Sequence, residues 1–118
     1  MDKSDKIKIL FACQWGMSSS LLAEKIQSLG KKQGLHIEIE CLAADAALAL
    51  DIYDYNLILI GPQVRFYKNK FEEREKELGL NIPIFLVDGM IYAMADGEAL
   101  LKLILPEIKK PNGKTSNQ

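Results

Sequence analysis

One unbroken apolar run constrains the fold more than any other feature. Leu57, Ile58, Leu59 and Ile60 follow one another without a polar residue, and Gly61-Pro62 ends the run. A strand with one wet face alternates apolar and polar residues, whereas a strand covered on both faces does not. This run therefore reads as a strand with protein above and below it. Gly-Pro marks the turn that stops it.

The flanking segments supply the covering layers. Residues 7–12 are β-rich and mostly apolar and lead into a turn-like cluster, which predicts a first strand. Residues 18–33 predict a helix. Leu22, Ile26 and Leu29 recur at helical spacing, Lys31 and Lys32 suit the negative helix end, and Gly34 stops it. Residues 36–42 alternate, with Ile37, Ile39 and Cys41 on one side and His36, Glu38 and Glu40 on the other. Such a strand has one solvated face and suits a sheet edge.

Residues 45–50 predict a short alanine-rich helix capped by Asp45. Residues 64–78 predict another, with Phe71 and Leu78 toward the core and Gly79 closing it. Its charged stretch, residues 72–77, reads as a solvated face. A fourth strand is expected at 84–87 after Pro83, and a last helix at 96–108 with Leu100, Leu103 and Ile104 inward. Asp96 is the simplest cap for that helix, and Pro106 should kink or end it because proline lacks the amide donor. Strands alternating with helices imply a parallel sheet with right-handed crossovers. The 118 residues fit one domain: a working unit at 6–108, a flexible start at 1–5 and a flexible tail at 109–118.

Composition narrows the function. The formal net charge of −1 offers no general attraction for nucleic acid or an anionic membrane. Cys13 and Cys41 are too few for a disulfide framework, and a single histidine, His36, leaves no metal spacing. No cofactor is implied. Leu10-Phe11-Ala12-Cys13 resembles a lipoprotein cleavage box, but the apolar run before it is about five residues, short of a signal core. With no span either, cytoplasmic residence is expected.

Ligands in open sheets of this kind sit beyond the carboxyl ends of the strands. The loop after the first strand reads Cys13-Gln14-Trp15-Gly16-Met17-Ser18-Ser19-Ser20. Amides at a helix start lack intrahelical partners, and the helix dipole adds partial positive charge, so the loop suits an anion such as phosphate. Gly16 allows close backbone approach and a positive φ. Ser18, Ser19 and Ser20 can cap the helix or donate to phosphoryl oxygens. The same field should favour the Cys13 thiolate, placing its pKa below the roughly 8.5 of a free thiol. The bland alternative is a buried Cys13 and serines that only cap. Walker-type, dinucleotide and Cys-x-x-Cys patterns are absent from this loop.

The segment Cys13 to Leu22 resembles the active loop of enzyme IIB of the lactose/cellobiose type, from the bacterial phosphoenolpyruvate-dependent sugar phosphotransferase system. That loop has the pattern Cys-x-x-Gly-Met-Ser-[Ser/Thr]-Ser-Leu-Leu. The resemblance continues at Leu59-Ile60-Gly61-Pro62-Gln63, Val87-Asp88 and Asp96-Gly97. Gln14 and Trp15 depart from it, filling positions where small residues are common. The resemblance implies an open four-stranded parallel sheet, strand order 2-1-3-4, with helices on both faces. It implies that Cys13 is phosphorylated by a IIA phosphohistidine and passes the group to a sugar bound in a membrane IIC partner. Gln14 to Ser20 would form the phosphoryl-binding loop of a monomeric carrier.

A low-molecular-weight phosphatase, a family that shares this general fold, or an arsenate-reductase-like enzyme using Cys13 is the enzymatic alternative. The phosphatase loop Cys-x5-Arg grips phosphate with a bidentate guanidinium. Ser19 stands at that position here, and residues 14–22 hold no Lys or Arg. Neither Asp88 nor Asp96 precedes a proline, as the phosphatase acid typically does. A non-catalytic anion sensor is the other alternative. Around the loop, Gln63 could donate to phosphate or only fix its turn, and Asp88 could sit at the rim. Arg65 and Lys68 could attract an acidic partner or lie on a plain surface. Trp15 could meet a partner. Met17 and Cys41 are expected in the core, and His36 in solvent.

Overall fold

A computed structural model describes residues 6–14, 19–50 and 52–108. The elements run β1 (Lys6–Cys13), α1 (Ser20–Lys32), β2 (His36–Ala43), α2 (Ala44–Leu48), β3 (Leu57–Ile60), α3 (Tyr67–Leu78), β4 (Ile84–Leu86), α4 (Gly89–Met94) and α5 (Gly97–Ile104). Short 3-10 turns at Pro62–Val64 and Leu105–Glu107 precede α3 and follow α5. All strand pairs are parallel, in the order β2-β1-β3-β4. This is the expected open sheet.

Each face of the sheet carries its own core. Ile9, Phe11, Leu57 and Leu59 pack with Leu22 and Ile26 of α1 and Leu100, Leu101 and Ile104 of α5. Leu10, Ala12, Ile58 and Ile60 pack on the opposite face with Ala44 and Ala47 of α2, Val64, and Phe71 of α3. The four residues of β3 have no exposed surface, as an unbroken apolar run between two layers demands. On β2, His36, Glu38 and Glu40 are exposed and Ile37 is buried, which matches an edge strand. Gln27 of α1 accepts from the Ile39 amide at 2.8 Å, covering one donor of that edge.

Several boundaries differ from the sequence expectation. The first helix begins at Ser20, two residues later than expected. Asp45 does not cap α2: the cap is Ala43, and the Asp45 carboxylate accepts from the neighbouring Ala46 amide inside the first turn. The segment from Val64 divides into a 3-10 turn and α3, because Pro62 opens a tight turn before the α-helix can start. The fourth strand stops at Leu86. Pro106 lies in the 3-10 turn that ends α5, as its missing amide donor requires.

The short helix α4 was not expected at all. It spans only Gly89–Met94 and buries no residue fully, so it shows no periodic apolar face. Its signal is the cap: Asp88 Oδ2 accepts from the Met90 and Ile91 amides at 2.9 and 3.1 Å. Ala95, with φ of 49°, turns the chain out of this helix, and Asp96 then caps α5 through the Ala99 amide. The expected flexible ends, residues 1–5 and 109–118, lie outside the described residues.

Candidate functional site

Cys13 is the last residue of β1, at the carboxyl end of the sheet. Its strand neighbour on one side is Ala43, the last residue of β2. On the other side the chain leaves β3 at Gly61, whose amide donates to the Ala12 carbonyl at 2.8 Å. A Cβ on Gly61 would stand 3.6 Å from the Cys13 Cα and Cβ, an ordinary contact that places this turn directly beside the sulfur-bearing residue. Cys13 itself has no exposed surface. Its burial fits the bland expectation, but its surroundings are not purely aliphatic.

Two polar groups among the described residues meet the sulfur. Ser19 Oγ donates to Cys13 Sγ at 3.0 Å, and Cys13 Sγ donates to the Leu42 carbonyl at 3.4 Å. Ser19 is fully buried. Its backbone stands at the N-cap of α1, where its carbonyl accepts from the Ala23 amide at 3.0 Å. Its hydroxyl makes no capping bond. The two sequence alternatives for this serine are therefore separated: the backbone starts the helix, and the side chain serves the sulfur.

Cys41 belongs to this constellation too, a residue that sequence reasoning assigned to packing alone. It lies opposite Phe11 on the adjacent strand, on the same side of the sheet as Cys13. Burial pushes its thiol up from the ordinary value. Ser19 opposes that shift, and the neighbouring Cys13 and Glu40 add to it. The Leu42 carbonyl was likewise missed. Strand alternation could have grouped Cys41 with Cys13, but only once the register between β1 and β2 was known.

The other expected site residues scatter. Gln14 is exposed just beyond β1, and Ser20 is exposed at the first turn of α1. Trp15, Gly16, Met17 and Ser18 lie outside the described residues. Gln63 is exposed in the turn after β3. Asp88 follows β4, and β3 lies between β4 and β1, so two strand spacings of about 4.8 Å separate its strand from that of Cys13. Both described bonds of its carboxylate go to its own helix. Arg65 Nη1 donates to the Pro62 carbonyl at 3.4 Å, and Lys68 pairs with Glu72 at 2.7 Å. Among the described residues there is no cluster of side chains fit to hold a metal ion, and no helix is long and apolar enough to cross a membrane.

Comparisons with known proteins agree with this geometry. The family model for the lactose/cellobiose-specific IIB subunit of the PTS system matches residues 8–103. The oligo-beta-mannoside-specific EIIB component of Bacillus subtilis (strain 168) is 37% identical over 91 residues, which cover 77% of this chain and 85% of that protein. The galactose-specific EIIB component of Lactococcus lactis subsp. cremoris (strain MG1363) is 30% identical over 83% of this chain and 92% of its own length. Among solved structures, the cellobiose-specific IIB component of Borrelia burgdorferi superposes with a TM-score of 0.68 at 30% identity, over 90% of this chain and 95% of that one. The lactose-specific IIB domain of Streptococcus pneumoniae gives a TM-score of 0.71 at 25% identity, over 86% and 97%. Fold, strand order and family match together place this chain among the lactose/cellobiose-specific IIB subunits of the phosphotransferase system, the transferase family to which it belongs.

Proposed function

We propose that the chain is a phosphoryl carrier whose acceptor atom is Cys13 Sγ. The observation that carries this is the Ser19 hydroxyl, turned away from helix capping and onto that sulfur at 3.0 Å. A hydroxyl donor beside the sulfur is placed to donate to phosphoryl oxygens carried there. Residues 14–22 contain no Lys or Arg to clasp the group for hydrolysis. Amide and hydroxyl donors alone can hold a phosphocysteine long enough to meet a second protein.

The transfer is two displacements at phosphorus. The Cys13 thiolate attacks the phosphohistidine of a IIA protein; the S–P bond forms as the N–P bond breaks, and the imidazole nitrogen keeps the electron pair. A sugar hydroxyl in a IIC partner then attacks the same phosphorus. The S–P bond breaks, the thiolate leaves, and the hydroxyl proton passes to a base on the acceptor side. The relatives' names, which specify oligo-beta-mannoside, galactose, cellobiose and lactose, support a sugar as that acceptor. Gln14 to Ser20 form the phosphoryl-binding loop, Gln63 and Asp88 its outer rim, and residues 6–108 the functional unit. The carrier works in the cytoplasm as a monomer.

Intact mass after incubation with a phosphorylated IIA protein tests this. One added phosphate is expected, and none on Cys13→Ser. An unmodified wild-type chain, or a phosphate that survives the substitution, refutes the assignment. Rapid turnover of p-nitrophenyl phosphate without a trapped phosphocysteine would favour the hydrolase instead.

A further inference from the structure

We propose that the outward face of α4, carrying Met90 and Met94, docks onto the cytoplasmic side of the membrane IIC partner. This rests on reading Cys13 as the phosphoryl-bearing sulfur, but its test reads binding and needs no transfer.

The short helix α4 has two faces of opposite character. Ile91 and Tyr92 are partly buried and pack onto the core beneath α1 and α5. The rings of Tyr92 and Phe11 meet edge to face with centroids 6.4 Å apart. Phe11 precedes Cys13 by two residues on β1, so their side chains share one face of the sheet. The helix that follows β4 therefore reaches across β3 to the strand that carries the sulfur.

With about 100° between successive residues, Met90 and Met94 fall on the side of α4 away from Ile91 and Tyr92. They are 69% and 68% exposed. Leu21, in the first turn of α1, is 55% exposed. It lies one turn before Lys25, whose Nζ donates to the Ala95 carbonyl at 3.1 Å just past α4. Met94, Lys25 and the start of α5 line one groove of about 440 Å³. A single exposed apolar residue is ordinary, but Leu21, Met90 and Met94 gather beside the reacting strand as a patch.

Charge points to the occupant. Asp96 and Glu98 line the groove with Met94, and Asp88 stands at the start of α4; all are exposed. Lys25, the cation among the groove's lining residues, is engaged with the Ala95 carbonyl. An apolar centre with an acidic rim is complementary to an apolar surface ringed by Lys and Arg. Cytoplasmic loops of membrane proteins carry that excess of Lys and Arg. The anionic lipid around them repels the same carboxylates, so the rim selects the protein over the bilayer. A sugar hydroxyl must also reach phosphorus on Cys13 Sγ, which brings the membrane partner to this end of the sheet. Methionine, unbranched and polarisable, adapts to an irregular partner surface.

Co-sedimentation with proteoliposomes carrying a lactose/cellobiose-type IIC protein tests this. Cys13→Ser is the reference chain, so sulfur chemistry plays no part. The double substitution Met90→Ser, Met94→Ser should weaken binding about tenfold, the effect of losing one well-buried apolar side chain from an interface. Its thermal unfolding should match the reference, because both side chains are exposed. Glu98→Lys should weaken binding several-fold and flatten its decline with rising salt. Leu103→Ser, at an exposed position about 9 Å along α5 from Gly97, should bind as the reference does. With Cys13 intact, the methionine substitutions should barely change the rate of phosphorylation by a IIA protein. Undiminished binding by the methionine variant, or no binding by the reference, overturns the proposal. So does equal binding to protein-free vesicles, which would make lipid the occupant, or an equal loss in phosphorylation by IIA, which would make the donor the occupant. Patch-dependent binding by a chain that takes no phosphate from IIA refutes the carrier reading and leaves the docking surface standing.

Discussion

Ser19 and Cys13 lie six residues apart in sequence, yet Ser19 Oγ stands 3.0 Å from Cys13 Sγ at the junction of β1 and α1. The serine sits at a helix N-cap but withholds its hydroxyl from the helix amides. A strong helix-start residue is thus used for a different purpose.

Ser19→Ala separates the two roles. Because the hydroxyl does not cap α1, thermodynamic stability should change by no more than about 1 kcal/mol in urea unfolding. Cys13 alkylation at neutral pH should nevertheless fall several-fold. A loss of about 2 kcal/mol with unchanged alkylation would identify the side chain as a cap after all.

Asp88 yields the opposite pattern. Its carboxylate accepts from two amides at the start of α4, so Asp88→Ala should cost about 1 kcal/mol of stability. Asp88→Asn retains an acceptor oxygen and should recover most of that loss. If charge at the proposed rim matters instead, Asp88→Asn would reduce phosphorylation by IIA as strongly as Asp88→Ala does.

Tyr55 carries a pH signature. Its ring is buried beneath the sheet, and burial first, then the hydrogen bond to Glu40 and the charges of Glu40 and Asp54, push its phenol well above the ordinary value. A group whose folded-state pKa is raised contributes its stability below the unfolded value and loses it as pH climbs toward the folded one. The urea midpoint should therefore decline above about pH 10, where an unfolded tyrosine ionises. Tyr55→Phe, which cannot ionise, should remove much of that alkaline slope. An identical slope in the variant would assign the loss to other groups.

Gly97 tests the contact between α1 and α5. A Cβ there would come within 2.7 Å of the Lys25 Cβ, which is fixed close to its helix backbone. Neither group can swing aside, so Gly97→Ala must push the helices apart, at about 1–3 kcal/mol. Gly30→Ala meets the end of a flexible side chain, Ile37 Cδ1, at the same distance and should be milder. Equal midpoints for the Gly97 variant and wild type would show that the helix pair adjusts freely.

The sequence alone determined the strand and helix alternation, the doubly covered run Leu57–Ile60, and the placement of Cys13 where the first strand gives way to a helix. These are legible because periodicity and punctuation act between near neighbours: the spacing of Leu22 and Ile26, the alternation from Ile37 to Cys41, the breaks at Gly61-Pro62 and Pro106. The helix over Gly89–Met94 escaped notice because six residues without a buried face leave almost no periodic signal. Asp45 misled because a good capping residue beside Ala43 lost that position to the strand end.

The composition of the sulfur's surroundings was decided only by tertiary structure. The residues facing it from β2, Cys41 and the Leu42 carbonyl, are 28 and 29 positions downstream by the numbering. Nothing local ties them to Cys13. A shift of β2 by one residue would turn Cys41 to the opposite face, away from Cys13. Register between parallel strands is settled by the packing of both sheet faces at once, so the identity of the groups around Cys13 emerges only when the whole sheet has formed.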